Sequence, residues 1–395
     1  MSPIPEILEN AQRFVELRRD LHAHPETGFE ERRTAGIVAD LLQSWGIETH
    51  TGIGGTGVVG VLRGRSEEGT RIGLRADFDA LPIEEQADVP WRSTVADTFH
   101  GCGHDGHTAS LLAAAHYLSR RRPESGTVTF IFQPAEEGLG GARAMLADGL
   151  FERFPCDVIF GCHNWPDLNL GEVQVCPGPV MAGAEFFDIT LSGTGSHAAM
   201  PHHSRDVIVA AADLIGTLQT IVSRNVDPLE SAVVSLTEMH GGSAYNVIPR
   251  KAELKGTIRH FKPEVRDAVI DAMKRIIVGA EASHDVSIAL DLRKAYPVTV
   301  NDPSAVDPVV AAARTTVGES NVFTSGRPTM SSEDFGDMLD VVPGAYFMAG
   351  QSSDVPLHHP EYTYDDDLIP IVASIFARIV QLHASSRVEA AVAAD

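Results

Sequence analysis

The sequence has few cysteines, few basic residues and no long apolar run, and each shortage excludes a class of protein. Only 4 of the 395 residues are cysteine, too few for a disulfide scaffold, so we expect free thiols and a cytoplasmic location. The 31 Lys and Arg residues face 54 Asp and Glu residues, a formal net charge of −23, which disfavours nucleic acid and anionic membranes as partners. No apolar run approaches a membrane span in length, and the N-terminus lacks a signal-peptide pattern.

With 395 residues, the chain is longer than one hydrophobic core usually supports, so we expect two domains. Between residues 70 and 165, short apolar strands alternate with helices, which is typical of a mostly parallel α/β sheet covered by helices on both faces. The strands run out into acidic or histidine residues at their carboxyl ends, the edge where such sheets gather ligands. These residues are Asp77, Asp79, Glu136, Glu137 and His163.

The pattern changes between residues 184 and 296, where the order strand, helix, strand, strand, helix, strand is predicted. This βαββαβ order is typical of a ferredoxin-like domain. Beyond it the chain returns to the first pattern, so the second domain is an insertion between the segments "GPVMAG" and "AYPVTV". We therefore expect one domain formed by residues 1–183 and 297–395, with residues 184–296 inserted as a second domain.

The stretch "FHGCGHDGHT", residues 99–108, places a cysteine among histidines and glycines just before a predicted helix. Thiolate, imidazole and carboxylate are the ligands of zinc and related metals, and glycines let nearby ligands converge. Taken alone, each such side chain is more often an ordinary core residue. Their arrival at one sheet edge favours a metal site, with the candidates Cys102, His104, Glu136 or Glu137, His163 and His358.

The roles of the acidic residues in two motifs can each be interpreted in more than one way. The pair in "PAEEG" can divide its tasks, one carboxylate binding metal while the other moves protons, or it can be a solvated acidic turn. Asp77, directly after a strand, can hold a ligand or orient an imidazole, and it can equally cap a helix or turn.

Nine short motifs carry a resemblance to a known family. In chain order they are "LHAHPETGFEE", "RADFDALPI", "HGCGHDGHTA", "QPAEEGLGGA", "GCHNWP", "GSHAAMPH", "GGSAYNVIP", "MSSEDFG" and "PLHHPEY". Together they resemble the aminoacylase and hippurate-hydrolase group of dinuclear metallo-amidohydrolases, which includes hydrolases of indole-acetyl-amino acids and belongs to a clan of metallo-exopeptidases. The resemblance extends from about residue 10 to residue 385.

The resemblance implies a site with two divalent metal ions, zinc or manganese before cobalt or nickel. Their implied ligands are Cys102, His104, Glu137, His163 and His358. Glu136 is implied as the general base and Asp77 as the residue that orients a ligand. In this subgroup Cys102 supplies a thiolate, and Arg75 stands where more distant relatives have a histidine ligand. His22 and His24 are implied to be structural, and Asp105 and His107 are implied either to be structural or to orient ligands without binding metal themselves.

The resemblance also assigns roles to the inserted domain, as a lid and as a dimerisation surface. His197 is implied to help hold the oxyanion, in its own or a partner subunit's site, with Asn246 in a similar role. Arg259 matches a position that holds the substrate's carboxylate, although an exposed strand cation is the alternative. A homodimer or a homotetramer is expected.

The resemblance implies hydrolysis of the amide bond of N-acyl amino acids to a carboxylic acid and a free amino acid. A dipeptidase, a carbamoylase or a deacetylase on the same scaffold is an alternative enzyme. A metal-dependent binding protein is the alternative outside enzymes, and it would not need Glu136, His197 and Asn246 together.

Overall fold

The computed structural model describes residues 2–392, with side chains for residues 2–384. Its helices are α1 Pro5–Glu9, α2 Ala11–Ala23, α3 Arg32–Ser44, α4 His104–Arg120, α5 Gly141–Ala147, α6 Leu150–Arg153, α7 Val207–Leu218, α8 Thr220–Asn225, α9 Pro263–His284, α10 Pro303–Val317, α11 Phe335–Leu339 and α12 Leu368–Val392. Its strands are β1 Glu48–Ile53, β2 Gly57–Arg63, β3 Ser66–Asp77, β4 Ser125–Gln133, β5 Val158–Trp165, β6 Val173–Gln174, β7 Gly178–Met181, β8 Gly183–Ser192, β9 Ser196–His197, β10 Ala232–Gly241, β11 Val247–Ile248, β12 Lys251–His260, β13 Ser287–Tyr296, β14 Thr299–Asn301, β15 Val322–Phe323 and β16 Gly344–Gly350.

The chain forms two compact units. The first runs to Val180 and includes Thr299–Arg327 and the residues from Asp334 onward. The second comprises Met181–Val298 and the short segment Pro328–Glu333. That short segment differs from the sequence-based boundaries, because main-chain hydrogen bonds tie it to the second unit. The Ala182 amide donates to the carbonyls of Thr329 at 3.1 Å and Ser331 at 2.9 Å.

The first unit is built on an eight-stranded sheet of order β1-β2-β4-β3-β5-β16-β6-β15. Its middle strands β4, β3, β5 and β16 are mutually parallel, so the predicted mostly parallel α/β sheet is confirmed. The antiparallel strands β1 and β2 at one edge were not predicted from the sequence. Because β1 has only one buried residue, it lacks the continuous apolar run that marks the central strands.

Helix α4 carries the sequence from the cysteine-histidine motif into the core of the first unit. Thirteen of its 17 residues are buried, which is typical of a helix covered on all sides. Its sequence has a run of small and aliphatic residues in place of a polar face, and it packs against α2, α12 and β3. The helix therefore fixes His104, its first residue, at a buried position.

The second unit has a four-stranded antiparallel sheet of order β10-β12-β8-β13, covered by α7, α8 and α9. The predicted βαββαβ order is present, with the strands in the arrangement of a ferredoxin-like fold. The helix predicted over residues 205–224 is divided at Gln219 into α7 and α8.

One segment of the second unit, Val207–Asn225, is long and apolar enough by length and composition to cross a membrane, contrary to the expectation that no such run exists. In the structure this segment is α7 and α8. Their apolar side chains Val207, Ala210, Ala211, Leu214, Leu218 and Ile221 belong to the hydrophobic core of the unit.

Replacing Gly106 with alanine tests the close packing of α4. A Cβ at Gly106 would lie 2.3 Å from ring carbons of buried Tyr364, so we expect Gly106→Ala to destabilise the protein by about 1–3 kcal/mol. The matched control is Gly279→Ala in α9, where a Cβ meets nothing within 4 Å. That change should stabilise by up to about 1 kcal/mol. Urea unfolding measures both, and equal stabilities for the two variants would contradict this packing.

Candidate metal centre

The carboxyl ends of the central strands deliver polar side chains to one place in the first unit. Asp77 is the last residue of β3, and His163 is the third residue from the end of β5. Glu136 and Glu137 follow β4, and His104 opens α4. All but Glu137 are buried to 95% or more. The structure thus brings the ends of these strands and the start of α4 together, as expected from the sequence.

Cys102 is shared by two groups of potential ligands. Its sulfur lies within 4.8 Å of one donor atom each of His104 and His163, which are also that close to each other. A second group of the same tightness joins Cys102 with Glu137 and His358. The five side chains predicted as metal ligands therefore form two triads with one thiol in common.

Hydrogen bonds fix which ring nitrogen of two histidines faces the cluster. The Nδ1 of His104 lies 3.0 Å from the carbonyl oxygen of Asp79 and 3.1 Å from its Oδ1. The Nδ1 of His163 lies 2.7 Å from the carbonyl oxygen of Asn164. Since a carbonyl can only accept, both Nδ1 atoms carry the proton, which leaves each Nε2 with its lone pair available to a metal.

Glu137 and His358 complete the second triad. The Oε1 of Glu137 is 3.3 Å from Nε2 of His358, and hydrogen bonds to Cys102 and Glu137 raise the pKa of His358 to about 10. His358 adopts φ of +65°, an uncommon conformation for a residue with a Cβ. Its amide donates to the carbonyl of Gly101 at 2.8 Å, which ties this loop to the cysteine segment.

The donor set fits a metal ion. A thiol, imidazoles and a carboxylate are the ligand types of zinc and other first-row metals. The buried Nε2 of His104 makes no hydrogen bond among the described residues, and Oε1 of Glu137 lies 4.0 Å from it. Burial and the neighbouring Glu137 also raise the pKa of the Cys102 thiol, so the sulfur keeps its proton until a metal ion replaces it.

Asp77 lies behind the triads. It accepts from Nη1 of Arg75 at 2.8 Å and pairs with Nδ1 of His107 at 2.5 Å, and Nε2 of His104 is 3.7 Å away. Burial opposes its charge, but Arg75 and His104 hold the pKa of this carboxyl well below its usual range. Asp77 is thus an ionised group beside a predicted ligand, as an orienting role requires.

Three participants were not singled out from the sequence as site residues. Asp79 contacts His104, and the Asn164 side chain links Nε2 of His107 at 2.6 Å to the Tyr362 hydroxyl at 2.6 Å. The sequence analysis named Asp79 only as a residue at a strand end and gave it no role. Tyr362 ends the motif "PLHHPEY", but its contact with Asn164 depends on the tertiary fold and could not be predicted from that motif.

The two histidines of the motif "LHAHPETGFEE", His22 and His24, do not belong to either triad. His22 lies between two carboxylates, with Nδ1 2.8 Å from Asp105 and Nε2 3.1 Å from Glu85. Asp105 also accepts from Arg18 at 3.3 Å. The Nδ1 of His24 bonds to the carbonyl of Asp20 at 2.8 Å. These contacts support the structural interpretation of His22, His24 and Asp105.

The remaining predicted residues belong to the second unit. Strand β9 pairs with β11, setting His197 opposite Val247, and the Ala198 amide donates to the carbonyl of Asn246 at 2.9 Å. His197 and Asn246 are therefore brought close together within this unit. Nδ1 of His197 accepts from the Ala199 amide at 3.1 Å, so in the neutral ring Nε2 carries the proton and can donate it.

Arg259 is half-buried on β12. Its guanidinium donates to the Thr257 hydroxyl and to the Ile258 carbonyl. No carboxylate among the described residues forms an ion pair with it. Burial lowers the pKa of Arg259, so a bound anion would compensate a charge that the surroundings otherwise disfavour.

The chain is similar to known proteins over almost its whole length. The sequence profile of peptidase family M20/M25/M40 matches residues 73–382. A hippurate hydrolase of Campylobacter jejuni is 42% identical, covering 96% of this chain and 98% of that protein. An N-acetylcysteine deacetylase of Bacillus subtilis is 40% identical, covering 93% and 96%. A crystal structure of a B. subtilis protein, described as a dinuclear metal-binding peptidase of the M20 family, is 35% identical with a TM-score of 0.81, covering 95% and 98%.

Raising the pH tests the buried network of His22. Burial alone would lower the pKa of His22, but Asp105 and Glu85 raise that pKa from its ordinary value of 6.5 to about 9. The stabilisation is therefore complete below pH 6.5 and is lost as the pH rises through 9. A loss on the order of 3 kcal/mol is expected. It is measured by urea unfolding of chelator-treated protein between pH 6 and pH 9.5.

The matched control for this pH dependence is His22→Gln, which cannot titrate in this range. Its stability should be lower than that of the wild type at pH 6 and change less between pH 6 and pH 9.5. Identical pH slopes for the two proteins would show that His22 does not carry the charge.

Proposed function

The chain belongs to peptidase family M20/M25/M40 and is a metal-dependent amidohydrolase of N-acyl amino acids, and we propose that the two triads sharing Cys102 form its metal centre. The resemblance drawn from the sequence motifs is thereby confirmed. The observation that carries the proposal is the position of Cys102 within 4.8 Å of both donor groups. A single thiol at that position can serve two cations.

The side chains proposed to hold the two divalent ions are Cys102, His104, Glu137, His163 and His358. Bound ions of this kind polarise a carbonyl and lower the pKa of water. Zinc or manganese is proposed as the native metal before cobalt or nickel. The donor chemistry permits all four, since selectivity depends on geometry and supply as well as on ligand type.

Glu136 is proposed as the general base. It neighbours Glu137 on the turn after β4, and one of its oxygens lies within 4.8 Å of donor atoms of His104 and Glu137. Glu137 also belongs to the triad with Cys102 and His358. Among the groups of potential ligands formed by the described residues, none contains both Glu136 and Cys102. Glu136 can therefore take a proton from the attacking water and pass it to the departing amine nitrogen.

The second unit is proposed to supply substrate contacts, as a lid and a dimerisation surface. The Nε2 proton of His197 and the side chain of Asn246 would stabilise the oxyanion, and each such donor is worth about 3 kcal/mol in other oxyanion sites. Arg259 would bind the α-carboxylate, since its guanidinium has no carboxylate partner among the described side chains. This local cation explains how a protein of net charge −23 accepts an anion.

The acyl group is proposed from the relatives, and the location of the enzyme is proposed from its cysteines. A benzoyl group, as in hippurate, and an acetyl group, as in N-acetylcysteine, are both candidate acyl groups. We place the enzyme in the cytoplasm, because all four cysteines are free thiols and such thiols persist in reducing compartments.

An activity screen tests the proposed function. Chelator-treated protein is given Zn²⁺, Mn²⁺, Co²⁺ or Ni²⁺ in turn and assayed for amine release from hippurate, N-acetyl amino acids, N-carbamoyl amino acids and dipeptides. We expect the N-acyl amino acids to be hydrolysed fastest. The corresponding N-acyl amino acid amides should be poor substrates, because they lack the carboxylate for Arg259. Absence of N-acyl hydrolysis with every metal would contradict the proposal.

Glu136→Gln tests the division of tasks between the neighbouring glutamates. Without a base, kcat should fall by about 10²- to 10⁴-fold, while the metal content measured by elemental analysis stays at the wild-type value. The matched variant Glu137→Gln should instead lose metal, and so should Cys102→Ser. Retained turnover in Glu136→Gln would show that another group moves the proton.

A further inference from the structure

The turn that carries Glu136 and Glu137 has a strained backbone. Ala135 adopts φ of +52°, a left-handed conformation that costs a residue with a Cβ about 1–2 kcal/mol. Such a conformation persists only where its surroundings hold it, and it is frequent at active sites. Something must therefore hold this turn in place.

Glu31 holds the first half of the turn. This fully buried side chain accepts a hydrogen bond from the Ala135 amide at 2.9 Å through Oε1, and one from the Thr56 hydroxyl at 2.5 Å through Oε2. Burial raises the pKa of the Glu31 carboxyl, against the effect of the Thr56 hydrogen bond. A side chain 104 positions away in the chain thus fixes the strained residue.

Asp79 holds the second half of the turn. Its Oδ2 accepts from the amide of Glu137 at 3.0 Å, and its Oδ1 accepts from Nδ1 of His104 at 3.1 Å. This buried carboxylate therefore holds the backbone of one proposed metal ligand and, together with the main-chain carbonyl of Asp79, the ring of another. An amide in place of this carboxylate could accept at only one of its two ends.

We propose that Glu31 and Asp79 are positioning residues, which together hold Glu136 and Glu137 in register with His104. The inference rests on the proposed function of these three residues and adds the means by which they are placed. Neither carboxylate belongs to a triad around Cys102. Each acts through a main-chain amide of the turn, so its effect passes through backbone geometry.

The experiment compares two substitutions at Glu31. In Glu31→Gln, the amide oxygen can still accept from the Ala135 amide, and the amide nitrogen can donate to the Thr56 hydroxyl. Glu31→Met has a similar length but makes neither bond. The probe is Co²⁺ alone, titrated into chelator-treated protein by calorimetry, with visible absorption recording the ligand geometry and the thiolate bond.

We expect Glu31→Met and Asp79→Asn to bind Co²⁺ about 10- to 100-fold more weakly than the wild type, the usual effect of losing a residue that orients a ligand. Their Co²⁺ absorption spectra should also change. Glu31→Gln should keep both the spectrum and an affinity within about threefold of the wild type. At saturating Co²⁺, kcat should fall more than KM rises in Glu31→Met, because Glu136 is displaced.

Ser374→Ala controls for a general loss of stability. It removes a fully buried hydroxyl that accepts from the Ile4 amide at 2.9 Å and donates to the Pro370 carbonyl at 2.6 Å, neither of which belongs to the turn, and it should leave Co²⁺ binding unchanged. The inference is overturned if Glu31→Met binds Co²⁺ as the wild type does, or if Glu31→Gln or Ser374→Ala loses affinity to the same extent. A wild type that binds no Co²⁺ or hydrolyses no N-acyl amino acid contradicts the proposed function instead.

Discussion

The sharing of one buried thiol by two donor groups is the constraint on which the site depends. Cys102 reaches His104 and His163 on one side and Glu137 and His358 on the other. Lone-pair donors crowded together in a protein interior are unfavourable unless positive charge joins them. Protons supply part of that charge, as the raised pKa values of His104 and His358 show. Metal and protons therefore compete for the same atoms.

The surroundings of the triads balance charge by pairing. Asp77 faces Arg75 and His107, and Asp105 faces Arg18 and His22. Because both of these buried carboxylates are opposed by a cation and an imidazole, the interior can hold them ionised without leaving their charge uncompensated. The same pairings fix the directions of side chains. These residues behind the proposed ligands therefore both balance charge and orient side chains. They lie on α2, α4 and β3.

The sequence predicted the parts of the structure that depend on periodicity and on strand ends. The central parallel sheet and the βαββαβ unit followed from apolar patterns, and the meeting of Cys102 with Glu137 and His358 followed from the motifs. The edge strand β1 could not be predicted in the same way, because it has little buried surface. The role of Glu31 could not be predicted from the sequence either. Its hydrogen bond with the Ala135 amide depends on a left-handed backbone conformation that an alanine gives no reason to expect.

Arg75 offers a physical reason for the thiol in the proposed metal centre. The guanidinium is fully buried and donates to Asp77 at 2.8 Å, to Gln133 at 2.9 Å and to Asp334 at 3.3 Å. A guanidinium has no lone pair to offer a metal, so a position that resembles a ligand site in more distant relatives here supplies positive charge. In the proposed metal centre, a donor must therefore come from another residue at the same sheet edge. Cys102 is placed to provide it, and a thiolate also brings the negative charge that a neutral imidazole would lack.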